Sequence, residues 1–308
     1  MQSHELLEVA LARWLGTTPR QIVACSSGTA ALHLAVEGLR DRIHEPIVVP
    51  DYTMISCARA VTLGDKKCRF VGCDENLLMD LSDVSDVDSV MLVHIYGRQV
   101  DNPLASVQIE DMAELHGVKP YPNSDAACWS FYRNKIVHGE EGGAVWFADP
   151  KRADLARSLR SVGFTLEHDY THIPRGCNYR LASSLARQIL VSLREFMTNY
   201  LHRRQAENVY NEHLCEWSLG KRKSPWVYDL RVSGMTRQQQ KEIVARLNKL
   251  GVAARMGFVP MTMQPEYRDT TTQETIRAWD EVFYLPLDIT CDQAALVGSQ
   301  VATLLDST

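Results

Sequence analysis

The chain has 308 residues, 45% of them hydrophobic and 23% charged, with a formal net charge of −5. That length allows a large α/β domain with a smaller appendage, and the acidic balance argues against a protein built mainly to hold a nucleic-acid backbone. The N-terminal stretch carries Glu5 and Glu8 inside its apolar pattern and lacks the basic start and cleavage site of a secretory signal, and no uncharged apolar run is long enough to span a bilayer.

The eight cysteines (25, 57, 68, 73, 128, 177, 215 and 291) are scattered without a C-x-x-C pair. Neither a metal site nor a redox motif is expected, and reduced thiols in the cytoplasm are.

In chain order, Leu6, Leu7, Ala10, Leu11 and Trp14 have helical spacing, and Gly16 stops that helix. Ile22–Cys25 is a short apolar strand, followed by an Ala/Leu-rich helix to about Arg40. Further strands are expected at Ile47–Val49, Cys68–Val71, Val90–His94, Val107–Glu110, Ala126–Phe131 and Gly143–Phe147, with a helix over Ser56–Leu63. Strands recurring with helices between them predict a mostly parallel sheet covered on both faces. From Asp149 to about His213 helical periodicity dominates, including one long run over Ser183–Glu212. Strand-like Val227–Val232, a helix Thr236–Leu250, strand-like Glu281–Leu287 and a final helix complete a small α+β domain.

Three motifs carry chemistry. Cys25-Ser26-Ser27-Gly28-Thr29 ends a strand and opens a helix, so free N–H groups and hydroxyls would face an anion such as phosphate. An ordinary Ser N-cap has the same sequence. Ile109-Glu110-Asp111-Met112-Ala113-Glu114 puts acids at a strand end, where a carboxylate can act as a base, hold a metal or pair with a protonated ring nitrogen; a solvated strand end is the plain alternative. Ser130-Phe131-Tyr132-Arg133-Asn134-Lys135 ends another strand. A lysine buried there loses solvation of its ammonium form and becomes available for a Schiff base, whereas an exposed one does neither. Phosphate cup, carboxylate and lysine in this order are what a large-domain pyridoxal-phosphate (PLP) fold requires.

The chain resembles the DegT/DnrJ/EryC1/StrS sugar aminotransferases, fold type I PLP enzymes. The resemblance rests on Ser27–Leu32, Pro50-Asp51-Tyr52-Thr53, Val93–Gly97 with Asp101, Glu110-Asp111-x-Ala113 with His116-Gly117, Ser130-Phe131-Tyr132-x-x-Lys135, Glu141-Gly142-Gly143, Gly176-x-Asn178-Tyr179-Arg180, and Pro260 with Gln264-Pro265 and Tyr267. It implies an α/β fold with a seven-stranded, mostly parallel sheet, residues 1–200 forming the PLP domain and 201–308 the small one. It implies that Lys135 bonds the cofactor and shuttles protons, and that Asp111 pairs with the pyridine nitrogen. Gly28, Thr29 and Ser130 would bind the phosphate, and Ser27, Met54, Ala113 and Glu114 would also contact the cofactor. Asn178 would reach the phosphate of a neighbouring subunit, giving a homodimer with shared active sites. Met54 stands where the family usually has an aromatic residue, Glu114 where Gln is commonest, and Glu140 where Gly is usual.

The implied reaction moves an amino group, from glutamate, to a keto group of a nucleotide-linked sugar. Decarboxylation or elimination on an amino-acid-modified nucleotide or nucleic acid stays open as a second reading, and a non-catalytic PLP-fold binding or regulatory protein as a third. No membrane partner is expected.

Overall fold

The computed structural model of the chain describes residues 2–82, 84–165 and 170–306. Helix α1 (Ser3–Leu15) ends at Gly16, whose φ of 72° supplies a left-handed cap. Then follow β1 (Ile22–Cys25), α2 (Gly28–Gly38), β2 (Ile47–Pro50), α3 (Ser56–Leu63), β3 (Cys68–Val71), β4 (Ser89–Val93), β5 (Val107–Asp111), β6 (Ala126–Ser130) and β7 (Gly143–Phe147). They form one seven-stranded sheet in the order β1-β7-β6-β5-β4-β2-β3. Strands β2 to β6 pair in parallel, while β7 runs antiparallel to both β6 and β1. The carboxyl ends of β1, β2, β4, β5 and β6 therefore gather at one edge, the ordinary place for a ligand in such a sheet.

Alternation along each strand explains the apolar runs. Val23, Cys25, Val49, Met91, Val93, Ile109, Cys128 and Val145 pack into one core with α2 and α3, while Ile22, Ala24, Ala127, Trp129 and Ala144 pack on the other face. Because both faces are covered, successive residues are all apolar rather than every second one.

The expected helical stretch from Asp149 to His213 is realised only in part. Helix α4 (Pro150–Arg160) stops where Ser161 pairs with Asn178 and Phe164 with His172. This irregular segment is tied to the sheet, the Ser26 N–H donating to the Tyr179 carbonyl at 2.8 Å; its residues 166–169 lie outside the described residues. The single run expected over Ser183–Glu212 is two helices, α5 (Ser183–Arg194) and α6 (Phe196–Leu214), divided at Glu195. Two cores pull them apart: α5 lies against α1, whereas Ala206, Tyr210 and Leu214 of α6 are buried with the C-terminal elements.

Those elements are β8 (Val227–Arg231), α7 (Arg237–Lys249), β9 (Arg255–Met256), α8 (Gln273–Glu281), β10 (Val282–Pro286) and α9 (Cys291–Leu305), with an antiparallel sheet ordered β8-β10-β9. The short β9 and α8 were not foreseen from the sequence. A cluster of Tyr52, Ile95, Tyr96, Trp226 and Val282 joins this part to the large sheet beside its carboxyl edge.

Candidate active site

A cavity of about 510 Å³ opens at that edge, lined by Ser27, Gly28, Thr29, Met54, Asp111, Ala113, Glu114, Ser130 and Lys135 together with Trp226, Phe258 and Tyr284 of the C-terminal part. Its size lies within the usual range for small-molecule sites.

One wall is the start of α2. Ser27 caps the helix, its Oγ accepting from Ala30 N–H at 3.1 Å. The first-turn N–H groups of a helix have no partner within the helix, and among the described residues none is recorded for those of Gly28 and Thr29. Ser130 ends β6 on the same face of the sheet as Asp111. A Cβ at position 28 would stand 2.7 Å from the Ser130 Cβ, so only glycine lets the helix start close on this serine. Hydroxyls, free N–H groups and a helix N-terminus together make a donor set suited to phosphate. Gly28→Ala is expected to weaken PLP binding roughly tenfold or more, measured by titrating the cofactor into the apo-protein. Unchanged affinity would remove the phosphate from this wall.

The second wall carries Asp111, buried at the end of β5. Ala113 N–H donates to its Oδ1 at 2.9 Å and the Cys57 thiol to its Oδ2 at 3.1 Å. Burial pushes the Cys57 thiol well above its usual range, Asp111 adding to the effect, so the sulfur remains a proton donor. Glu110, one residue earlier, points to the opposite face. It is fully used there: its Oε2 lies 2.8 Å from His94 Nε2, and its Oε1 accepts from Tyr121 N–H at 2.7 Å and from Ser124 Oγ. Strand alternation thus decides which of two adjacent acids faces the cavity.

Lys135 stands on the loop after β6 and is only 8% exposed. Its Nζ lies 3.7 Å from the centroid of the Trp226 ring and 3.8 Å from Glu114 Oε1. Burial lowers its pKa, opposed by the charges of Glu114 and Asp111. The Glu114 carboxyl is pushed up to about 7 by burial, against the pull of Lys135 and the Tyr96 N–H. That N–H donates to Glu114 Oε2 at 2.6 Å. The lysine loop is braced by C-terminal residues: Trp226 Nε1 donates to the Asn134 carbonyl at 3.2 Å, and Arg203 donates to the carbonyls of Trp226 at 2.9 Å and Asn134 at 3.3 Å.

Nine of the ten expected site residues therefore line one cavity. Met54 lies at its mouth, 50% exposed. Asn178 is exposed and is not part of the lining; its Oδ1 accepts from Arg180 Nε at 3.1 Å. Sequence reasoning missed Trp226, Phe258 and Tyr284, which line the cavity from the C-terminal part, and Cys57, which holds Asp111. No local pattern marks them, because each lies far along the chain from the groups it meets. Among the described residues no His, Cys, Asp or Glu group is arranged to hold a metal, and none of the helices found there is long and apolar enough to cross a membrane.

A phosphate cup, a buried carboxylate and a buried amine around one such cavity fit PLP. A family model described as the DegT/DnrJ/EryC1/StrS aminotransferase family matches residues 2–301. GDP-perosamine synthase of Caulobacter vibrioides is 28% identical over 298 residues, covering 87% of this chain and 79% of that protein. UDP-2-acetamido-2-deoxy-3-oxo-D-glucuronate aminotransferase of Pseudomonas aeruginosa is 25% identical over 319 residues, covering 94% and 87%. Among solved structures, Helicobacter pylori PseC, an aminotransferase involved in pseudoaminic acid biosynthesis, superposes with a TM-score of 0.88 at 18% identity, covering 100% of this chain and 92% of that one; at this identity the likeness speaks for the fold alone.

Proposed function

The chain belongs to the DegT/DnrJ/EryC1/StrS aminotransferase family, and from that premise we propose that it is a PLP-dependent aminotransferase moving an amino group from glutamate to a keto group of a nucleotide-linked sugar. The nucleotide-sugar acceptor is drawn from the names of its relatives, and glutamate is proposed as donor. The observation that carries the reading is the convergence of the α2 N-terminus, Asp111 and Lys135 on one cavity.

When bound, PLP supplies an electron sink for the electron pair left on a substrate carbon as its proton departs. The residues do the rest. We assign the phosphate to Ser27, Gly28, Thr29 and Ser130. Asp111, its two oxygens oriented by Ala113 N–H and the Cys57 thiol, would favour the protonated form of the ring nitrogen. Ala113, Met54 and Glu114 would flank the ring. Lys135 would hold the cofactor through Nζ, and the same nitrogen would carry the substrate proton once released. Trp226, Phe258 and Tyr284 limit water at the reacting end.

Residues 1–200 are proposed as the PLP domain and 201–308 as the small domain. Asn178, exposed and clear of its own cavity, is proposed to complete the site of a second copy in a homodimer. The eight unpaired cysteines favour the cytoplasm.

Incubating the PLP-loaded protein with glutamate is expected to give 2-oxoglutarate in a one-to-one ratio with the pyridoxamine form of the cofactor. A keto acid formed from another amino acid instead would replace the donor. Release of carbon dioxide or ammonia without keto acid would replace transamination itself.

A further inference from the structure

Among the described residues, the amine of Lys135 meets the face of Trp226 and makes one ion pair, with an oxygen of Glu114. The Glu114 carboxylate is held in place from behind, Oε2 taking the Tyr96 N–H at 2.6 Å, so that Oε1 is the atom turned to Nζ at 3.8 Å. Both side chains are 10% exposed. Asp111 makes no ion pair with Lys135 among the described residues, and its oxygens take the Ala113 N–H and the Cys57 thiol.

We propose that Glu114 is the proton-exchange partner of Lys135, its Oε1 receiving the ammonium proton whenever the amine is free of the cofactor and becomes nucleophilic. The proposal deepens the reading of Lys135 as the attachment residue and rests on it. In the exchange an Nζ–H bond breaks with its electrons staying on nitrogen, an Oε1–H bond forms, and the pair stays neutral overall. A buried pair without net charge avoids the cost of leaving one ion alone. Burial also draws the two proton affinities together, lowering that of the lysine and raising that of the carboxyl to about 7. The other titratable or charged groups facing the pair are Asp111, Asp229, Arg203, His116, Cys57, Tyr96 and Tyr284. Of these, none forms an ion pair with Nζ among the described residues.

The test uses the cofactor-free full chain. Acetic anhydride acylates only neutral amines, so acetylation of Lys135, read by mass spectrometry against an exposed lysine across a pH series, follows its protonation. In the wild-type protein the profile should show two steps, because interacting groups titrate as a pair. Glu114→Gln keeps an oxygen for the Tyr96 N–H but removes the charge that favours the ammonium. The lysine should then react at lower pH, its midpoint falling by about one to three units. Glu114→Asp, with the charge retained on a shorter arm, should shift it less. A single ordinary lysine step in the wild type, an unmoved midpoint in Glu114→Gln, or equal shifts in both variants overturns the proposal. Since no cofactor is present, these results are independent of the glutamate experiment. A chain that shows the shift yet forms no 2-oxoglutarate would keep the proton pair and lose the function.

Discussion

Lys135→Ala is expected to abolish the visible absorbance of lysine-bound PLP and to lower turnover by on the order of 10³-fold or more, about 4 kcal/mol of barrier. Two separate losses combine in this variant. The proposed covalent anchor disappears, leaving the cofactor to the non-covalent contacts proposed for the cavity lining. The proton carrier disappears with it, and among the described residues no second amine lines the cavity. The fold should survive, because the substitution leaves Glu114 buried without its cation, and a carboxyl already raised to about 7 simply takes up a proton. Absorbance spectroscopy with added PLP checks the first loss and single-turnover kinetics the second. Retained visible absorbance would move the attachment point to another lysine and dissolve the site as drawn.

Asp111→Asn should behave differently: PLP still binds, but turnover falls by roughly 10²–10³-fold, ~3–4 kcal/mol. The amide oxygen can still accept from Ala113 N–H, which now reaches Oδ1 at 2.9 Å, so the geometry has reason to persist. What is lost is the negative charge that makes a protonated ring nitrogen favourable. Affinity should change little, since the proposed phosphate contacts lie on the other wall of the cavity. The check is a steady-state comparison at equal cofactor occupancy. Near-normal turnover would show that the carboxylate does not govern the cofactor's electronics.

The two variants separate an attachment role from an electronic one, and both positions could be picked out before any coordinates. Asp111 and Lys135 each end or follow a buried strand, and strands announce themselves by apolar runs bounded by polar residues. The order of cup, acid and lysine along the chain then matched one known family. Which acid of the Glu110-Asp111 pair faces the cavity is a matter of strand parity, settled by the packing of Val107 and Ile109 against α2 and its neighbours.

Other features stayed hidden for definable reasons. The division of the expected helix Ser183–Glu212 at Glu195 has no proline or glycine to mark it; α5 serves the core around α1 and α6 the core around β8 and β10. The irregular course of 161–182 is set by bridges to partners that periodicity does not see, such as Ser161 with Asn178. Strand β9 has two residues, too brief for any repeat to show, and the buried positions of α8 are Thr275, Ala278 and Glu281, of which only Ala278 is apolar.

By itself the sequence determined the layered α/β class, most strands of the large sheet, and the residues at their carboxyl ends, because burial on both faces of a sheet leaves a local apolar signature. Only the tertiary structure decided that Trp226 would lie against the Lys135 amine, that Cys57 would hold Asp111, and that Glu114 would turn one oxygen to the lysine and the other to Tyr96. Those pairings depend on chain segments brought together across the fold, and an interaction of that kind leaves no trace in the spacing of neighbouring residues.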